Sequence, residues 1–168
     1  MDSSIESDLV RLALQEEQLQ FETFNADTAW QLGTLLKEAV EARSKAVVID
    51  IQLFGQPLFF YAMPGTTPDN IDWVRRKRNV VQRFQRSSYA IGQELKKAQT
   101  TLLDKAGLDV RDHATHGGCF PIRLRGTGCI GTITISGLPQ REDHNVIVDV
   151  LATWLNRPIS EVALSATV

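Results

Sequence analysis

Two pairs of short apolar runs, each pair joined by turn residues, constrain this chain more than any other feature. Residues 46–53 are rich in β-branched side chains; Phe54, Gly55, Gln56 and Pro57 interrupt them before a second apolar run at 58–63. Two runs of strand length around a turn of this kind predict an antiparallel hairpin. The pattern returns at 120–125 and 130–136, with a glycine-rich turn between. Hairpins with apolar faces need cover, and the intervening segments can supply it. Asn25 is placed to cap a helix in which Ala29, Leu32, Leu36, Ala39 and Val40 form one face to about residue 43. Asp69 can cap the next, with Ile71, Val74, Val81 and Phe84 toward the core, and Ala90, Ile91 and Leu95 mark a further helical run over about 88–98. Pro139 suits the first turn of a last helix lined by Ile147, Val150, Leu151 and Trp154 and stopped by Asn156, Arg157 and Pro158. Residues 18–24 alternate Leu19 and Phe21 with polar neighbours and predict one more strand. The expected order is β-α-β-β-α-(α)-β-β-α, an α+β fold with an antiparallel sheet flanked by helices. Residues 1–17, a frayed end or short docking helix, are expected as an N-terminal extension, 18–156 as a single domain and 157–168 as a C-terminal tail.

At 168 residues, such a domain should bury about 70% of the surface its unfolded chain exposes. With 43% apolar and 23% charged residues the chain reads as soluble and globular, which excludes disordered, collagen-like and coiled-coil classes. Two cysteines make no disulfide scaffold, the start carries no basic-then-apolar leader, and no run of 18 apolar residues occurs. A cytoplasmic protein without a membrane partner is therefore expected. The net charge of -2 is unevenly spread. Residues 1–44 hold nine acidic against three basic residues, and residues 69–99 hold eight basic against three acidic. Arg75, Arg76, Lys77 and Arg78 are consecutive, so on a helix they point around the axis and form no single phosphate-binding stripe. Nucleic acid is not an expected partner.

Several short patterns point to chemistry that their context contradicts. Gly126, Gly128 and Gly131 have dinucleotide-fingerprint spacing, yet Thr132 to Ile135 continue as a strand where that fingerprint needs a helix. His116-Gly117-Gly118 has the form of a hydrolase oxyanion loop, but no G-x-S-x-G elbow accompanies it. His113, His116 and Cys119 recur every three residues, with Asp143 and His144 further on, but none of the usual zinc spacings is present and two glycines break any helix that would align them. No metal is expected. Cys129, between apolar neighbours, reads as a buried thiol.

The most specific segment is 116–144. It contains His116-Gly117-Gly118, then Phe120-Pro121-Ile122, then a strand from Gly131 ending Ser136-Gly137-Leu138-Pro139, then Asp143-His144 opening a helix. Together with Trp73, Arg76, Lys77 and the 84–88 stretch, this resembles the haem-degrading domain family, the GlcG and HbpS-like proteins, and within it a cytosolic branch. The resemblance covers residues 20–156. It implies a profilin-like antiparallel sheet of about five strands and assembly into a closed homo-oligomer, and its family name implies haem binding or degradation.

A ligand site is expected where the loop before the fourth strand meets the start of the last helix. His116 can donate or accept a hydrogen bond, Gly117 and Gly118 allow close backbone approach, and the helix start after Pro139 presents orphan N–H groups suited to an anion. Asp143 and His144 would complete a polar cluster. The leading expectation is a homo-oligomeric module that binds a small molecule or a partner, with no catalytic activity assigned. The first alternative is haem or tetrapyrrole chemistry with His113, His116, His144 or Met63 as axial ligand. The second is a scaffold whose acidic and basic segments meet across subunits.

Overall fold

The computed structural model describes residues 3–164. The chain begins with α1 (Ser3–Gln18) and α2 (Ala26–Glu41), the latter started by Asn25, whose side chain accepts the Thr28 N–H at 2.9 Å. The first hairpin follows as β1 (Val48–Leu53) and β2 (Gln56–Ala62). Next come α3 (Pro68–Phe84), α4 (Ser88–Lys97) and the short α5 (Leu102–Ala106). The second hairpin is β3 (Cys119–Leu124) and β4 (Gly128–Ser136), and α6 (Gln140–Trp154) and α7 (Ile159–Val162) complete the described chain. The N-cap of α3 is Thr67, with Pro68 as the first helical residue, so Asp69 lies inside the first turn and is not the cap.

The two hairpins merge into one antiparallel sheet of order β2-β1-β4-β3. Register decides which side chains share a face. Ile51 pairs with Ile133 and Ile133 with Phe120, so these point to one side together with Ile49, Ile122 and Ile135, into the main apolar core under α2 and α6. Asp50 pairs with Thr134 and Thr134 with Cys119, so the opposite face carries Asp50, Gln52, Thr132 and Thr134. That face is also buried, by α3, whose Arg78 reaches the Asp50 carboxylate at 2.8 Å. The sheet is therefore apolar toward one helical layer and polar toward the other, which makes polar side chains of α3 structural.

The expectation of about five strands is corrected to four. Residues 18–24 contribute one parallel bridge, Phe21 to Leu124. Phe21 engages the β3 edge, its N–H donating to Arg123 C=O and its C=O accepting from the Arg125 N–H. With α1 running to Gln18 and Asn25 already capping α2, too few residues remain to extend a ladder. Leu19 and Phe21 nevertheless enter the main core, so the alternation signals burial correctly and strand pairing wrongly.

The segments expected as extension and tail both pack. Leu12 of α1 clusters with Tyr89, Ala90 and Leu164, and Gln15 Nε2 donates to the Val162 carbonyl at 2.7 Å. Residues 1–2 of the expected extension and 165–168 of the expected tail lie outside the described residues.

Candidate functional site

α3, the loop 116–118 and the turn into α6 converge on a cleft of about 250 Å³ lined by Asn70, Trp73, Lys77, His116, Gln140 and Asp143, with Asp69 and residues 136–138 on its rim. At its floor lies a buried ion pair. Val74, Lys77 and Val81 fall on one helical stripe, which turns Lys77 inward to 3% exposure. Its ammonium donates to the Asp143 carboxylate at 2.9 Å and to the Ile135 carbonyl at 3.2 Å. Asp143, in the first turn of α6, also accepts the Leu138 N–H at 3.1 Å. Burial pushes the Asp143 carboxyl above its usual range, and the facing Lys77 charge pulls it back. A buried pair of this kind contributes little net stability, since desolvation offsets the attraction; removing one partner would strand the other.

Gly118 makes the pair geometrically feasible. It sits at φ +124, and a Cβ there would fall 2.5 Å from the Ile135 oxygen and 2.7 Å from Lys77 Nζ. Gly117 is equally confined, since a Cβ would meet the Gln140 carbonyl oxygen at 2.2 Å. The glycines thus bring loop, strand and helix start together.

One wall is aromatic. His116 meets Trp73 edge to face with centroids 4.9 Å apart, and the Arg76 guanidinium lies 4.0 Å from the Trp73 ring centroid. Burial, then Lys77 and Arg76, lower the His116 pKa, so its imidazole is neutral near pH 7. The cleft combines a flat ring, a neutral imidazole, a buried charge pair and the start of α6.

Of the anticipated ligand residues, His116 and Asp143 line this cleft, Gly118 lies against Lys77 and Asp143 at its floor, and Pro139 is the N-cap of α6. Gly117 donates its N–H to Gln140 Oε1 at 3.3 Å. His144 lies elsewhere, because consecutive helical residues project about 100° apart. It is fully buried, with Nε2 2.8 Å from Gln15 Oε1 and Tyr89 and Phe120 beside its ring, and burial lowers its pKa to about 3. His113 stands outside the cleft, with Nδ1 3.3 Å from the Asp109 carbonyl, and Met63 is in the main core. Cys119 is buried and receives the Thr134 hydroxyl at 3.0 Å, while Cys129 is half-buried where a buried thiol is expected. Among the described residues no group of three or more His, Cys, Asp or Glu side chains could hold a metal ion.

Motif spacing does not assign Lys77, Trp73, Asn70 or Gln140 to the site. Lys77 carries a signal all the same: a lysine in register with Val74 and Val81 interrupts an apolar stripe. The neighbouring basic residues of α3 are also engaged, Arg75 with Asp72 and Asp112, Arg76 with Asp72, and Arg78 with Asp50. The acidic first helix pairs within the chain too, Glu6 with Lys97, Asp8 with Arg141 and Glu16 with Arg86. No described helix is long and apolar enough to cross a membrane.

Comparison with known proteins places the chain in a family and matches its fold. Residues 24–152 match the family described as "Haem degrading protein HbpS-like". A "UPF0303 protein" of Azotobacter vinelandii is 56% identical over 161 residues, covering 96% of this chain and 97% of its own. The crystal structure of the Ybr137w protein superposes with a TM-score of 0.81 at 35% identity, over 88% of this chain and 87% of that one. A crystal structure of a PduOC–haem complex shares the fold, with a TM-score of 0.65 at 17% identity over 77% of this chain and 94% of that one. The chain belongs to the HbpS-like haem-degrading protein family.

Proposed function

We propose that the protein is a cytoplasmic, homo-oligomeric binding module that holds a small polar molecule in the cleft between α3 and α6. The observation that carries this reading is the Lys77–Asp143 pair, buried yet lining an open cleft. A pair so costly to desolvate is better accounted for by recognition than by stability. Trp73 and His116 offer a flat surface against which a planar ligand packs, Asn70 and Gln140 supply hydrogen bonds, and the start of α6 favours a negatively charged group. Assembly is supported by apolar side chains left exposed around the β2 edge, namely Trp30 at 65%, Phe54 at 84% and Phe60 at 49%. Backbone amide shifts during a small-molecule screen test the assignment. Binders should perturb residues 69–77, 116–118 and 136–143, and should lose affinity in Trp73→Ala; binders whose shifts lie elsewhere would refute it.

Haem is the second reading, favoured by His116, a neutral imidazole that makes no hydrogen bond among the described residues and stands at the cleft mouth. A metal-binding imidazole must be unprotonated, and His116 meets that condition. Haem would supply redox chemistry at its iron; His116 would hold it, and His113 is the remaining accessible candidate because His144 and Met63 are enclosed. A haem titration followed at the Soret band should saturate and change in His116→Ala. A Soret band that does not shift, or shifts identically in both His116→Ala and His113→Ala, would remove this reading.

A further inference from the structure

We infer a second binding site, for a carboxylate with a compact apolar body, in the cavity between α4, α5 and the loop 110–116. This cavity of about 350 Å³ shares only His116 with the lining of the cleft described above, and nothing in the proposed cleft function requires it. Its inner surface is built from Leu95, Leu102 and Ala114, all buried, with Val110 exposed at the rim. Apolar walls of this extent favour a ligand that brings apolar surface of its own.

Charge at the rim has a single sign. The cations Arg76 and Lys96 line the cavity together with the imidazoles of His113 and His116, and no aspartate or glutamate does. Two of the chain's three histidines are in this set. Arg76 is committed to Asp72 and to the Val110 carbonyl. Lys96 is exposed, and its ammonium makes no ion pair or hydrogen bond among the described residues. His113 is held through Nδ1, which donates to the Asp109 carbonyl at 3.3 Å. An apolar floor with the uncommitted Lys96 ammonium at its rim selects an amphipathic anion: the body leaves water on the leucines while the carboxylate stays at the mouth beside Lys96. A neutral ligand of the same shape would gain only the burial, and a cation would be repelled. The acidic first helix of a second copy is the competing occupant, but its Glu6, Asp8 and Glu16 already have partners within their own chain.

Isothermal titration of the intact chain with octanoate, 1-octanol and octylamine tests the assignment. Octanoate should bind saturably and more tightly than 1-octanol, and octylamine should bind weakest. Lys96→Glu, a change at an exposed residue that leaves the fold alone, should weaken octanoate about five- to tenfold while sparing 1-octanol. Val110→Asp should weaken both octanoate and 1-octanol. Equal affinity for octanoate and 1-octanol, no effect of Lys96→Glu, or no saturable binding would each overturn the site. So would a fall in light-scattering mass on adding octanoate, which would assign the cavity to a neighbouring copy.

Discussion

Lys77 and Asp143 stand 2.9 Å apart, almost wholly buried at the floor of the cleft, and their neighbours show how narrowly that arrangement is set. Lys77→Met leaves Asp143 buried without its cation and should cost about 3–5 kcal/mol in urea unfolding, whereas Lys77→Met with Asp143→Leu should recover most of the loss. Both variants should lose cleft ligands, which separates the pair's role in recognition from its role in stability. At φ +124, Gly118→Ala is strained and collides with the Ile135 oxygen, so it should destabilise by more than about 1 kcal/mol; Gly126→Ala, with open space around it, should cost only the backbone penalty of about 1 kcal/mol. His144 sets a pH dependence. As pH falls below about 6.5 the unfolded chain takes up a proton that the native imidazole refuses until about pH 3. Stability from this residue is therefore complete above pH 6.5 and is lost on acidification, by about 1.4 kcal/mol per pH unit. His144→Gln, compared with wild type by urea unfolding between pH 7 and 4, should show a flatter decline. Adjacency in sequence makes His144 and Asp143 look like one cluster; helical geometry turns them about 100° apart, His144 toward α1 and Asp143 toward α3.

At the scale of elements, legibility follows the source of burial. The hairpins and α2 are readable because apolar residues repeat at the strand or helix period and Asn25 caps where a cap is needed. The first helix is not, because much of its buried side is polar: Asp8, Gln15 and Glu16 share it with Leu12. Such a face is satisfied only by partners remote in sequence, here Arg141, His144, Arg86 and the Ser87 N–H. The loop-plus-helix site is partly legible for the same reason in reverse. Glycines and a histidine mark a close backbone approach locally, while Lys77 and Trp73 arrive from a helix some forty residues earlier. Glu16 is the critical contact of α1, accepting both the Ser87 N–H at 2.8 Å and the Arg86 guanidinium at 3.0 Å. Glu16→Ala should lower stability by about 1–3 kcal/mol, read from the urea midpoint with an unchanged slope. A stability equal to wild type would mean that α1 is held by Leu12 and its apolar neighbours alone.

For the whole molecule, the uneven charge of the sequence resolves inward, because α1 pairs with Arg86, Lys97 and Arg141 of its own chain and the basic run of α3 pairs with aspartates of that chain. A scaffold in which those segments join subunits would dissociate in salt, whereas an assembly resting on the apolar side chains about β2 would not. Light-scattering mass should therefore be unchanged by raising salt and should fall in Phe60→Glu. Whether the α3–α6 cleft holds a small molecule is read most directly by native mass spectrometry of protein purified gently from its own cell. The spectrum should carry a retained mass of one small molecule per chain that disappears in Trp73→Ala and in the Lys77→Met with Asp143→Leu variant. A wild-type spectrum with the bare chain mass alone, or a retained mass that persists in both variants, would contradict a ligand in that cleft.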